Sequence, residues 1–204
     1  IVRTLERGGD RDNTTRLQVL DGTDVEILTR AEIDGREQIK VLMVFFRKWL
    51  PGFERCELLD TAATIGVRET RRIVGEYMLT VEDLATGRAF DDVIALCGYP
   101  VDIHSPTGDG GGADGSYPTA NAYQIPYRSL VPRDLDQILV AGRCISATHE
   151  ALGAIRVMPP SFAMGQAAGT AAALALEWGV PPRRVPVPQL QDLMVRQGAY
   201  LGDE

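Results

Sequence analysis

The stretch from Gln137 to Gly179 decides the fold of this chain, and it reads QILVAGRCISATHEALGAIRVMPPSFAMGQAAGTAAALALEWG. Residues 138–141 form a short apolar run that stops at a glycine, which predicts a buried strand. A polar turn over residues 143–150 follows. The pair Pro159 and Pro160 then opens a long helix that ends at Gly179. The predicted order is therefore a strand, a polar loop and the N-terminus of a helix.

The long helix has two features that bear on ligand binding. Its first N–H groups have no partner within the helix and its dipole is positive there, which suits an anionic or electron-accepting ligand. Gly165 and Gly169 lie one turn apart, and Ala172 and Leu176 continue that face. Close approach of a backbone or a flat ligand would offset the ~1 kcal/mol that each helical glycine costs relative to alanine. A tightly packed core helix without a ligand explains the pattern equally well.

Composition places the chain among ordinary globular proteins, with 204 residues, 45% of them hydrophobic and 24% charged. The formal net charge of −7 argues against nucleic acid or an anionic membrane as the main partner. No secretory signal or membrane span is recognisable. Three cysteines without a CxxC pair favour free thiols in a reducing compartment, and hence a cytoplasmic location. Because the first residue is Ile1, we expect the chain to be a piece of a longer protein.

The rest of the chain is predicted to alternate helices with short strands. An amphipathic helix runs from Thr29 to Leu50, with Glu32 at capping-box spacing from its first residue. A short helix is capped by Thr80 and ended by Gly87. A last helix is predicted from residues 187–188 and 190–195, with Gly198 as its stop. Strands or extended segments are predicted at 17–19, 25–27, 58–59, 63–65, 73–79, 93–96, 101–104 and 123–127.

Two kinds of site are weakly indicated. Asp102 and His104 alternate on a predicted strand and share a face, but two ligands do not make a metal site, so we predict no metal. Cys144, Ser146 and His149 lie close in sequence without a GxSxG elbow, which does not favour nucleophilic catalysis.

Two further patterns have simple surface explanations. Gly110, Gly112 and Gly115 match GxGxxG, but no strand precedes them and no helix follows, so a flexible loop is predicted instead of a dinucleotide site. The three arginines within residues 68–72 form either a surface patch or a carboxylate-binding site. Sequence alone favours the exposed patch.

Redox chemistry on a flavin fits the stretch better. A reduced flavin carries negative charge, which a helix N-terminus at Met158–Ser161 would stabilise. His149 is the acid/base candidate by residue type, because histidine exchanges protons near neutral pH. Arg156 could face the substrate or the flavin ring. Alternatively, His149 bonds to backbone in a turn and Arg156 pairs with Glu150.

The chain also resembles a known family. Residues 140–159 (VAGRCISATHEALGAIRVMP) and 162–174 (FAMGQAAGTAAAL) are similar to the C-terminal signature of a bacterial family of FAD-dependent oxidoreductases. That family is related in fold to the glutathione reductase and fumarate reductase flavoproteins. Shorter matches occur at residues 28–32, 51–53, 66–72 and 125–132.

The resemblance implies a fragment of an α/β (mixed α+β) flavoprotein. We expect an incomplete FAD/NAD(P)-binding Rossmann-like domain, contributing its final strand and helix, and a mixed-sheet substrate or cap domain. The expected boundaries are 1–128 for the cap portion, 129–180 for the FAD-domain segment and 181–204 for a tail helix. The N-terminal half with its GxGxxG turn would be a missing partner from the same protein.

The resemblance also assigns roles to residues. Gly142 and Arg143 would approach the ribityl and pyrophosphate groups of FAD, and His149 and Arg156 would be catalytic on the substrate side. Apart from the resemblance, the arginines at 68, 71, 72 and 156 indicate a small, anionic substrate, and Arg68 and Arg71 are predicted to bind it. The isoalloxazine would meet Met158, Pro159, Pro160, Ser161, Phe162, Ala163 and Met164.

The resemblance does not decide whether the chain forms a homo-oligomer or whether it binds a cofactor on its own. A homo-oligomer is compatible with these assignments. The alternative function is a non-catalytic interaction or assembly domain that binds no cofactor, because the dinucleotide fingerprint is missing.

Overall fold

A computed structural model describes Leu17, residues 21–103 and residues 119–202. The chain divides into two units, Ile1–Thr70 and Arg71–Glu204. Helices and a small sheet make up the described part, which is a mixed α and β architecture. The elements are α1 (Val25–Trp49), α2 (Val81–Thr86), β1 (Val93–Cys97), β2 (Tyr123–Pro126), α3 (His149–Ile155), α4 (Met158–Trp178) and α5 (Val187–Arg196), with 3₁₀ turns at Tyr127–Ser129, Gly142–Cys144 and Pro182–Arg184.

Helix α1 dominates the first unit and confirms the predicted amphipathic helix, although it begins earlier. The carboxylate of Asp24 accepts hydrogen bonds from the N–H groups of Glu26 at 2.8 Å and Ile27 at 3.2 Å. This cap draws residues 25–27 into the helix, so the strand predicted there is wrong. The capping box at Thr29 is also wrong, because Thr29 lies inside the helix and donates to the carbonyl of Val25.

The first unit has its own small core. Met43 and Phe46 of α1 pack with Cys56, and Ala31 and Gly35 are also buried on the same side of the helix. Glu32 accepts a 2.6 Å bond from the N–H of Ile65, which ties α1 to the segment that follows it. The strands predicted at 58–59 and 63–65 are wrong. No strand element forms within residues 21–70, so these short apolar runs lack a ladder partner there.

The small sheet belongs to the second unit. Strand β1 pairs antiparallel with β2, and an irregularity in register lies between Val93 and Ala95. The strand prediction at 93–96 and the extended segment at 123–127 are confirmed. Residues 73–79 make only isolated bridges, Gly75 with Pro132 and Leu79 with Ala147, so a full strand was wrong there. Residues 101–103 are not a strand, while His104 and the glycine loop at 108–116 lie outside the described residues.

Local caps account for the helices of the second unit. At the start of α2, the hydroxyl of Thr80 accepts a hydrogen bond from the N–H of Asp83, and the carboxylate of Asp83 accepts one from the N–H of Thr80. Gly87 ends α2 with a φ of 60°. Pro159 and Pro160 start α4, and Gly179 ends it at φ 63°. These predictions are confirmed. The last helix, predicted from residues 187–188 and 190–195, is also confirmed as α5.

The strand predicted at 138–141 is wrong. Ile138 is 45% exposed, and the N–H of Val140 bonds to the carbonyl of Leu130 at 3.0 Å. A 3₁₀ turn from Gly142 to Cys144 follows. No described strand runs beside these residues, so the apolar run is extended but joins no sheet.

Asp83 makes the stability of the second unit depend on pH. Burial pushes the pKa of Asp83 up, but bonds from the Thr80 N–H, the Tyr77 hydroxyl and Arg88 outweigh it, so the pKa is lowered. The ionised carboxylate of Asp83 therefore stabilises the folded chain at every pH above the pKa of an unfolded aspartate, about 3.9. This stabilisation is lost as the pH falls through the lower pKa of Asp83 in the folded chain. We expect Asp83→Asn to destabilise the chain at pH 6, and the difference from wild type to shrink towards pH 3. Urea unfolding across this range measures it.

The matched control is Glu82→Gln, which removes an exposed carboxylate one residue earlier in α2. This variant should follow the wild-type pH profile. If the difference in free energy of unfolding between wild type and Asp83→Asn stays constant from pH 6 to pH 3, the role assigned to the Asp83 charge is wrong.

Candidate functional site

The turn at Gly142 meets the first turn of α4. Gly142 has a φ of 77°, and a Cβ built on it would lie 3.7 Å from the hydroxyl oxygen of Ser161. The N-cap residue of α4, Val157, provides no side-chain hydrogen bond to the first turn. The structure therefore brings together the two segments predicted to approach FAD, Gly142–Arg143 and the start of α4. Pro159 and Pro160 carry no N–H group, and the N–H of Ser161 donates to the carbonyl of Val157 at 3.2 Å. The first turn of α4 therefore offers a ligand the N–H of Met158 and the positive end of the helix dipole.

The seven predicted isoalloxazine contacts divide between two sides of α4. Met158 and Pro159 are exposed, and Phe162 is 71% exposed. Ser161 and Ala163 are half-buried. Pro160 and Met164 are buried, and Met164 belongs to the core cluster of the unit. Successive residues point about 100° apart around a helix, so a continuous run cannot all face one ligand.

The small-residue face of α4 is open. A Cβ built on Gly165 or Gly169 finds no atom within 4 Å, and both glycines are exposed. Leu176, further along this face, is 85% exposed. The close packing expected to offset the cost of the glycines is therefore not made by any residue that the structure describes.

The two predicted catalytic residues stand at opposite ends of α3. His149 is the exposed first residue of α3, where the hydroxyl of Thr148 caps the helix by accepting from the N–H of Ala151. Residues 149 and 150 are therefore helical and not part of a turn. Arg156 follows the last turn and donates to the carbonyl of Asp102 at 2.5 Å. About 10 Å of helix rise separates the two positions.

The predicted substrate arginines are both exposed. Arg68 belongs to the first unit and Arg71 to the second, and each stands at the surface of its own unit. Arg72 is different, because it is half-buried and donates to the carbonyl of Ala147 at 2.8 Å. It thus holds the segment that leads directly into His149. Sequence reasoning placed Arg72 only in the arginine cluster, since no spacing rule announces a side chain bonding to a carbonyl 75 residues away.

Paired charges near β1 and β2 were also missed. Asp92 is buried and accepts from the Nε and Nη2 atoms of Arg128, each at 2.9 Å. Bonding to Asp92 raises the pKa of Arg128 despite partial burial. Burial, together with its bond to Asp83, raises the pKa of Tyr77 to about 12. Arg128 is bonded to Asp92 and Tyr77 to Asp83, so both pairs brace the unit.

The structure does not favour nucleophilic catalysis by Cys144, Ser146 and His149. Ser146 is fully buried, whereas Cys144 is exposed and its thiol bonds to the carbonyl of Ala141. Within residues 21–103 and 119–202, no three histidine, cysteine or acidic side chains gather as a metal site would require. Among the described helices, none combines the length and apolar character needed to cross a membrane.

Comparison with known proteins identifies the family. The chain belongs to the FAD dependent oxidoreductase family, whose model matches residues 1–194. The cofactor of this class is FAD. No curated protein and no solved structure matches the chain.

Gly75 is tightly packed against Ser146 and the backbone of Arg128. A Cβ on Gly75 would lie 2.6 Å from the Cβ of Ser146 and 3.2 Å from the carbonyl oxygen of Arg128. Gly75→Ala should therefore destabilise the chain by about 1–3 kcal/mol, because the crowded backbone must shift. The midpoint of urea unfolding measures the effect.

Ser146→Gly provides the matched control. It removes the atom that the new methyl group would strike, so the double variant should recover part of the loss relative to the sum of the single variants. Strict additivity of the two changes would contradict the contact. The Ser146 hydroxyl has no hydrogen-bond partner among the described residues, so its loss adds no broken bond.

Proposed function

We propose that this chain is the C-terminal portion of a flavoenzyme that transfers electrons between a small anionic substrate and FAD. The observation that carries the proposal is the Gly142 turn against the uncapped first turn of α4. It stands in a chain of an FAD-dependent family. A helix N-terminus favours the negative charge of pyrophosphate or reduced flavin, by about 0.3–1 kcal/mol at an exposed site.

The chemistry of the residues at this place fits FAD. Gly142 has no side chain of its own to hinder approach to its backbone, and the hydroxyl of Ser161 lies nearby. Arg143 adds a positive charge beside the turn, which suits a pyrophosphate. Met158 and Phe162 offer exposed apolar surface of the kind that covers a flat ring system. Met164 and Pro160 would support this surface from the core side without touching the ring.

Bound FAD supplies the two-electron redox chemistry of such an enzyme. In the proposal, Arg71 attracts the anionic substrate and Arg156 orients it. His149 exchanges a proton with the substrate from the exposed start of α3. Arg72 acts as a positioning residue, because its bond to the carbonyl of Ala147 fixes the segment before His149.

We further propose that α4 completes an FAD-binding Rossmann-like domain with an N-terminal half of the same protein. The open glycines of α4 support this, because a neighbouring backbone could pack directly on Gly165 and Gly169. Residues 129–180 would be the segment of that domain, with residues 1–128 as the cap portion and 181–204 as the tail. A cytoplasmic location belongs to the same proposal.

Titration with FAD tests the cofactor site. We expect the 204-residue chain to quench FAD fluorescence saturably and Phe162→Ser to weaken binding about tenfold, because about 1.5 kcal/mol of apolar burial is lost. Leu176→Ser is the matched control, since it removes an exposed apolar side chain from the same helix about 21 Å away. Equal weakening by both variants would contradict a ring site at Phe162.

The product of the complete gene provides the decisive version of this measurement. Its visible spectrum should show bound flavin. A product without flavin absorbance after reconstitution with FAD would refute the proposed function and favour the interaction-domain alternative.

Alanine at Gly165 or Gly169 should stabilise the 204-residue chain but destabilise the complete flavoprotein. In the 204-residue chain, Gly165→Ala and Gly169→Ala should each stabilise α4 by about 1 kcal/mol, because a methyl group there meets nothing. In the complete flavoprotein, the same changes should lower the thermal midpoint or the bound FAD, because the methyl groups would collide with the neighbouring backbone. Stabilisation in both contexts would refute the packing proposed for this face.

A further inference from the structure

Helix α1 exposes an apolar stripe that none of the described residues of the first unit, Leu17 and residues 21–70, covers. The helix buries Ala31, Gly35, Met43 and Phe46 on its inner side. On the opposite side, Val41 is 69% exposed and Val44 is 65% exposed. Exposed Ile33 and Phe45 border these valines. Single exposed apolar residues are ordinary, but a group aligned on one side of a helix is typical of a contact surface.

The charges at the ends of the stripe make it complementary to itself. Glu37, Val41, Val44 and Lys48 follow one another at intervals of four, three and four residues, which aligns them along one side of the helix. We name these four residues the outer stripe. It is symmetric in spacing and opposite in charge at its two ends. Glu37 and Lys48 are both exposed.

We propose that the outer stripe pairs with the outer stripe of a second copy of this chain, with the two helices antiparallel. In this arrangement Val41 of each copy packs against Val44 of the other around a twofold axis. The same axis brings Glu37 of each copy opposite Lys48 of the other, which gives two equivalent ion pairs at the rim. The stripe spans only about three turns, so the contact is small and the dimer weak, with a Kd in the micromolar range of about 1–100 µM.

An anionic lipid surface is disfavoured as the occupant. The stripe carries an acidic residue at one end, and the whole chain has a net charge of −7. Both features oppose binding to negatively charged headgroups. Glu37 pairs with Lys40 in its own helix at 2.6 Å, and this exposed pair can exchange for Lys48 of a second copy, which offers an opposite charge to each end of the stripe.

Charge exchange in the 204-residue chain tests the pairing. Sedimentation velocity over a concentration series, at low salt, measures the dimer Kd for wild type, Glu37→Lys, Lys48→Glu and the double variant. Each single exchange places like charges opposite each other twice and should raise Kd about tenfold or more. The double variant restores opposite charges and should return Kd to near the wild-type value. Val44→Asp should leave only monomer.

Matched controls separate this pairing from a general effect of net charge. Glu177→Lys on α4 and Arg184→Glu in the turn before α5 make the same changes of charge at exposed positions outside the stripe. Both should leave Kd unchanged. Far-UV circular dichroism of every variant establishes that α1 remains helical.

Three results would overturn the proposal. They are a wild-type chain that stays monomeric to several hundred micromolar, a dimer whose Kd ignores all four stripe variants, and a monomer that binds vesicles of phosphatidylserine through Val44. None of these depends on FAD, so the dimer and the proposed flavin site can fail separately.

Discussion

One face of α4 is buried along the length of the helix, and the second unit is built around that contact. Met164, Ala167 and Ala171 are fully buried, while α4 also touches β1, α5 and two of the 3₁₀ turns. Small side chains on this face let the partners approach closely. Burial of a side chain such as Met164 contributes about 1.5–3 kcal/mol, so the set fixes how α4 is rotated about its axis.

That rotation decides which residues are available to a ligand. With Met164 and Pro160 in the core, Met158 and Phe162 lie on the outside of α4, and Ser161 lies near the turn at Gly142. The open glycines lie further along the helix. The start of α4, which no side chain caps, thus lies close to the Gly142 turn and carries an exposed apolar surface.

Charged side chains hold the loops around this core. Arg183 donates to carboxylates of Glu76 and Asp136 and to three backbone carbonyls between residues 132 and 135. Arg128 holds the buried Asp92, and Arg72 holds the carbonyl of Ala147. A half-buried arginine with several oxygen partners positions irregular backbone that makes few sheet bonds of its own.

Sequence by itself predicted α1, α2, α4 and α5, because the ends of a helix depend largely on local chemistry. It missed α3, whose first residues were predicted to belong to a polar turn. Proline at the start of α4, glycine after its end and the Thr80 capping box act within a few residues, so they can be read directly. Strands were different. The runs at 58–59, 73–79 and 138–141 have strand-like composition, but a strand exists only where a partner lies alongside, and that depends on distant chain.

The candidate site divides in the same way. Sequence identified the segment from Gly142 to Met164 and the small-residue face, because glycine, proline and alanine patterns are local. Only the tertiary structure decided that Met164 faces the core, that Phe162 faces outwards and that His149 and Arg156 stand at opposite ends of α3. It also selected Arg72 over its neighbours as the residue bonded near His149. The reason is physical: orientation and long-range hydrogen bonds are set by which surfaces the folded chain buries, and no local pattern encodes that choice.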